Sequence, residues 1–136
     1  MLIFMGKDSA TIKLQGISSG QRMTISALAM CGSTGTIVLR DDTTVYAEMK
    51  KVDQGVSPQL LGHITAKYTG GSNLRLEVSV SHVSIAMDIK SIINYANIVE
   101  PSGVIKGNVC NVAIEESTDG DYNDYLITIV STDKVN

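Results

Sequence analysis

Leu74-Arg75-Leu76-Glu77-Val78-Ser79-Val80 alternates without a break, four apolar side chains against Arg75, Glu77 and Ser79. Successive side chains of a strand point to opposite faces, so this period of two reads as a half-buried β-strand. The same rhythm runs outward from it in both directions. Thr11-Ile12-Lys13-Leu14, Met23-Thr24-Ile25-Ser26-Ala27-Leu28 and Thr36-Ile37-Val38-Leu39-Arg40 precede it. Val83-Ser84-Ile85-Ala86-Met87 and Leu126-Ile127-Thr128-Ile129-Val130 follow it. The segment from Met87 to Asn97 carries Ile89, Ile92, Ile93 and Tyr95, but β-branched residues dominate it and no helix cap precedes it, so it too reads as strand.

Turn signals separate these runs: Gly16 to Gly20, Gly32-Ser33-Thr34-Gly35, Asp41-Asp42, Gly70-Gly71-Ser72-Asn73 and Pro101-Ser102-Gly103. Their spacing, roughly 10 to 20 residues, suits an all-β sandwich better than a doubly wound sheet, which needs intervening helices. The expectation is all-β: an antiparallel Greek-key β-sandwich, formed as a single domain over residues 1–136.

Composition narrows the function classes. Hydrophobic residues make up 43% of the 136 positions, enough for one core, and charged residues only 18%. A net charge of −3, no tryptophan and a single phenylalanine give neither a basic footprint nor a stacking platform, so no nucleic-acid partner is expected. The apolar start Leu2-Ile3-Phe4-Met5 is too short for a signal-peptide core or a membrane span, so a soluble chain without membrane insertion is expected. Cys31 and Cys110 lie 79 residues apart in no metal-type spacing, which favours two reduced, buried thiols over a disulfide. His63 and His82 stand alone in strand-like sequence, which argues against zinc and against histidine catalysis.

The acidity is local. Glu115, Glu116, Asp119, Asp121 and Asp124 fall within ten positions that hold no Lys or Arg, and the remainder of the chain carries +2. Glu115-Glu116-Ser117-Thr118-Asp119-Gly120-Asp121-Tyr122-Asn123-Asp124 offers carboxylates at Glu115, Asp119, Asp121 and Asp124, and an amide carbonyl at Asn123. Gly120 and Asn123 permit the tight backbone that would turn these oxygens toward one centre. Hard cations take such oxygen-only shells, and calcium tolerates irregular geometry better than magnesium. A solvated acidic turn is the plainer alternative. Yet unit charges about 4 Å apart repel by roughly 1 kcal/mol even in water, which favours a bound cation. The start Asp119-x-Asp121-x-Asn123 imitates an EF-hand loop, but Asp124 stands where that loop needs Gly and Val130 where it needs Glu. The EF-hand fails.

The same stretch, Glu-(x)3-Asp-x-Asp-Tyr-Asn-Asp followed by a short apolar strand, resembles the calcium loop of the bacterial two-calcium fucose/mannose-binding lectins. Arg22 to Ala29 with the small-residue turn after it resembles their second strand and sugar-binding loop. Gly70-Gly71-Ser72-Asn73 to Leu76-Glu77-Val78-Ser79-Val80 resembles their central hairpin. The resemblance implies a β-sandwich whose loop holds two adjacent Ca2+ ions, with vicinal sugar hydroxyls placed directly on both. Glu115, Asp119, Asp121 and Asp124 would hold the first ion, and Asp121, Asn123 and Asp124 would reach the second. Four carboxylates then balance two calcium ions. Glu116, Gly32 and Ser33 fall where the family touches its sugar. The family's chain-terminal carboxylate reaches a neighbouring subunit's second calcium, and Asn136 would take that part here, about two residues later than expected. Where the family places an Asn ligand for the second ion, this sequence has Met30, whose soft thioether does not serve calcium.

The resulting expectation is a non-enzymatic, calcium-dependent lectin for fucose/mannose-type monosaccharides, a homodimer or homotetramer, with carbohydrate as its partner. The alternative, from a different class, is a calcium-stabilised sandwich that has lost sugar binding and serves as a structural or protein-interaction module. Met30 feeds it. A glycosidase pair made of Glu115 and Asp124 would sit on one turn rather than flank a cleft, and neither histidine lies in a nucleophile motif, so no catalytic residues are assigned.

Overall fold

Alternation becomes pairing in the computed structural model, which describes residues 3–5, 9–81, 89–115 and 124–133. Ten strands appear among them: β1 (Ile3–Met5), β2 (Ser9–Lys13), β3 (Arg22–Ala29), β4 (Thr34–Arg40), β5 (Val45–Lys51), β6 (Gln59–Lys67), β7 (Arg75–Ser81), β8 (Lys90–Val99), β9 (Ile105–Glu115) and β10 (Tyr125–Thr132). They form two five-stranded sheets, ordered β1-β2-β7-β4-β5 and β6-β3-β10-β9-β8. Every pairing is antiparallel. The orders are not sequential: β7 lies between β2 and β4, and β10 between β3 and β9, so distant parts of the chain close each sheet. The all-β antiparallel sandwich expected from the alternation is the fold observed.

The core lies between the sheets. Ile12, Leu39, Leu76 and Val78 from the first join Ile25, Cys110, Val112 and Ile129 from the second in one buried cluster. Fully burying a side chain of this size is worth about 1.5–3 kcal/mol. Leu76 and Val78 point inward while Arg75 and Glu77 bond each other on the outer face (Nε to Oε2, 3.0 Å), as the period of two demands. Both cysteines are buried, unbridged thiols.

Four strands escaped the sequence reading, the three-residue β1 in the apolar start among them. β5 alternates Ala47, Met49 and Lys51 toward the core, but its last inward residue is a lysine whose side chain is fully buried. β6 has no fully buried residue, and its register slips at Ala27/Leu28 of its neighbour. β9 opens on Ile105-Lys106-Gly107-Asn108, a composition that reads as loop, before Cys110, Val112 and Ile114 take up the alternation. The expected turn at Gly32 to Gly35 is shorter than its composition suggested, since β4 already begins at Thr34. Gly35 is a ladder residue because the Tyr125 hydroxyl fills the space its side chain would take, 2.5 Å from an ideal Cβ. The expected strand from Val83 to Met87 lies outside the described residues, whereas the expected strand from Met87 is realised as β8 from Lys90 onward. No helix of the described residues is long and apolar enough to cross a membrane.

Candidate functional site: the mouth of the β9–β10 connection

Three strands deliver the site. β10 is the central strand of its sheet, bonded to β9 on one side and β3 on the other. At its start Tyr125 pairs with Ile114 of β9 and with Ala29 of β3. One residue earlier, the Asp124 amide donates to the Ile114 carbonyl (3.1 Å), and the Asp124 carbonyl accepts from the Met30 amide (2.8 Å). Glu115, the last residue of β9, stands opposite Lys90 of β8. Glu115, Asp124 and Met30 therefore meet at one end of the sheet, fixed by backbone bonds rather than by a flexible tether.

The two carboxylates are buried, Glu115 at 1% exposure and Asp124 at 7%. Burying a carboxylate is costly unless charge or hydrogen bonds compensate it. Two of them, one closing β9 and one just before β10, at the root of a segment bearing three more acids, make an oxygen-rich donor set. The chemistry of that set fits a hard divalent cation. The other expected ligands, Asp119, Asp121 and Asn123, lie outside the described residues, as do Glu116 and Asn136. Among the described residues no group of three His, Cys, Asp or Glu stands together. Glu115 and Asp124 are the part of the proposed shell that the fold positions.

Gly32 and Ser33 sit beside the same end. Ser33 is buried, and its carbonyl accepts from the Tyr125 hydroxyl (3.2 Å) and from the Cys31 thiol (3.7 Å). A Cβ on Gly32 would lie 3.4 Å from Val56 Cγ1, so this turn packs on the segment joining β5 to β6. That segment is anchored from below. The buried Lys51 ammonium donates to the Asp53 carbonyl (2.5 Å) and to its carboxylate (3.3 Å). The Gly55 amide and then the Lys51 ammonium hold the Asp53 carboxyl below the usual carboxylate range. Tyr125 and Lys51 are the residues that sequence reasoning missed. Tyr125 directly follows the acidic run and is fully buried, tying the Asp124 backbone to the Ser33 turn. Its position at the head of an apolar strand was the available signal.

A further buried acid, Asp41, is a structural residue. Its carboxylate accepts from the amides of Thr43 (2.8 Å) and Thr44 (2.8 Å), from the Thr43 hydroxyl (3.1 Å) and from the Tyr46 hydroxyl. The Tyr46 hydrogen bond, with those from Thr43 and Thr44, outweighs burial and brings its pKa down to about 2. This is the turn between β4 and β5. His63 stands exposed on β6, and His82 lies outside the described residues.

No protein-family model matches the chain, and no curated protein matches its sequence. Solved structures do match its fold. The C-terminal domain of the BC2L-C lectin from Burkholderia cenocepacia superposes with a TM-score of 0.61 at 18% identity, covering 95% of this chain and 97% of that one. A high-affinity mannose-binding lectin of Ralstonia solanacearum gives a TM-score of 0.61 at 24% identity, over 88% of this chain and 93% of its own. The Chromobacterium violaceum lectin CV2L, solved in complex with alpha-methyl-fucoside, gives 0.54 at 20% identity, over 88% and 93%. The sandwich implied by the loop and strand motifs is thus the fold of three bacterial lectins.

Proposed function

We propose that the chain is a calcium-dependent carbohydrate-binding protein, not an enzyme, that takes fucose/mannose-type monosaccharides at the β9–β10 connection. One observation carries the reading: the acidic segment most like a lectin calcium loop is rooted on two buried carboxylates, Glu115 and Asp124, in a fold shared with three lectins. In this reading Glu115, Asp119, Asp121, Asn123 and Asp124 hold Ca2+. The bound ion supplies a Lewis acid for neighbouring sugar hydroxyls. The protein orients that ion, and the central strand β10 supports it without needing to move. Glu116 and the Gly32-Ser33 turn flank the sugar, with Ser33 acting by shaping the turn, since its carbonyl serves Tyr125 and Cys31.

Titration calorimetry tests this directly, first with calcium and then with a panel of monosaccharides on the calcium-loaded protein. Calcium binding followed by a sugar response to fucose or mannose is expected. Absence of calcium binding removes the reading. Calcium binding with no response to any sugar favours the second reading, a calcium-stabilised interaction module. The specific observation behind that alternative is Met30, which the Asp124 carbonyl holds beside the loop at the position of a family ligand.

A further inference from the structure

The end of the sheet that gathers Glu115 and Asp124 also gathers a sulfur side chain, Met30. Beyond the last ladder pair of β3 and β10, Ala29 with Tyr125, the backbone adds one more, the Met30 amide donating to the Asp124 carbonyl (2.8 Å). Ala29 and Tyr125 are fully buried in the core. By alternation Met30 and Asp124 point to the opposite face of the sheet, the face that Glu115 takes after the buried Ile114. Partners in such a cross-strand pair hold their Cβ atoms about 4.5–5.5 Å apart. Met30 is thus the side chain that the end of β3 contributes beside the Asp124 carboxylate, and a thioether there offers nothing to a hard cation. It is also reachable. Of the three methionines whose side chains are described, Met23 and Met49 are buried at 1% and 4% exposure, and Met30 is only half-buried.

We infer that Met30 is an oxidation site that controls calcium uptake: its sulfoxide, formed by hydrogen peroxide, is an oxygen ligand that the thioether is not. The inference rests on the calcium reading proposed above. The step balances within itself. A lone pair of Met30 Sδ attacks one peroxide oxygen, the S–O bond forms as the O–O bond breaks, and a proton shift releases the second oxygen as water. Sulfur is oxidised by two electrons and the peroxide is reduced by two. The product carries a neutral, strongly polar oxygen, a hard donor of the kind calcium takes. Reach agrees. The sulfoxide oxygen lies three bonds beyond Cβ, the same count as the carbonyl oxygen of a glutamine, and an Asp124 carboxylate oxygen lies two bonds beyond its own. From Cβ atoms about 5 Å apart, both can touch one cation at about 2.3–2.6 Å. Charge agrees too, since a neutral donor leaves the four carboxylates of Glu115, Asp119, Asp121 and Asp124 balancing two calcium ions. Peroxide therefore raises the calcium loading of the site, and enzymatic reduction of the sulfoxide lowers it again.

The test is calorimetric calcium stoichiometry of the full chain before and after brief treatment with hydrogen peroxide, with peptide mass spectrometry to place the added oxygen. The oxygen is expected on Met30 while Met23 and Met49 stay unmodified, and calcium uptake is expected to rise from nearer one toward two per chain. Methionine sulfoxide reductase should return it to the starting value. Met30→Leu, similar in volume, should show no gain from peroxide, which separates Met30 from the cysteines and the other methionines. Met30→Gln, with its oxygen equally far along the side chain, should match the oxidised parent without any peroxide. No calcium binding before or after treatment would remove the calcium reading itself and this inference with it. Calcium binding that stays unchanged once Met30 carries the oxygen overturns this inference alone. So would an equal gain in Met30→Leu, or a Met30 that peroxide leaves unmodified.

Discussion

Replacing Glu115 by Gln should shrink the stabilisation that calcium brings. Glu115 and Asp124 are buried to 1% and 7% exposure at the two ends of the acidic connection, and Glu115 stands opposite Lys90. Glu115→Gln keeps the size of the side chain and removes one anionic oxygen donor, which a hard cation needs. The parent gains about 2.7 kcal/mol at a hundredfold excess of calcium over its dissociation constant, while the variant, short of one donor, gains far less. For a chain of this length about 1 kcal/mol moves Tm by roughly 2–5 °C, so the parent's calcium shift amounts to several degrees. Scanning calorimetry of both proteins in chelator and in millimolar calcium reads the two shifts. Glu48→Gln, which breaks the exposed pair with Lys50, serves as the control and should leave the calcium shift intact. A Glu115→Gln variant that shows the parent's full calcium shift would refute the argument, because Glu115 would then not be a ligand of the cation.

Met30→Asn supplies an oxygen next to Asp124, so calorimetric calcium stoichiometry should rise from nearer one toward two per chain; an unchanged stoichiometry of two in the parent would show that the Cys31-Gly32-Ser33 backbone already provides it. Asp41, with a folded pKa of about 2 against an ordinary 3.8, adds stability that is present above about pH 4 and lost as pH falls toward 2. Asp41→Asn should therefore flatten the acid limb of a Tm-versus-pH curve between those values, and parallel acid limbs in parent and variant would count against it. Ile129→Ala removes a fully buried side chain on the central strand and should cost about 2–5 kcal/mol in urea unfolding; a loss below about 1 kcal/mol would mean that β10 is not the core strand described.

Legibility in the sequence followed burial. β7 could be read outright because one face is buried along its length and the other is charged, so hydrophobicity and geometry carry the same period. β6 could not, because it is an edge strand with a register slip near Gly62 and buries nothing completely, which leaves its alternation faint. Lys51 stayed hidden for another reason. A lysine at an inward position reads as a strand end, yet its stem reaches through the apolar layer to Asp53, an acceptor that only tertiary structure reveals. The site divided in the same manner. The oxygen-rich loop was plain from composition, whereas the meeting of Glu115, Asp124 and Met30 depends on β3 and β9 flanking β10, a pairing between segments nearly 100 residues apart.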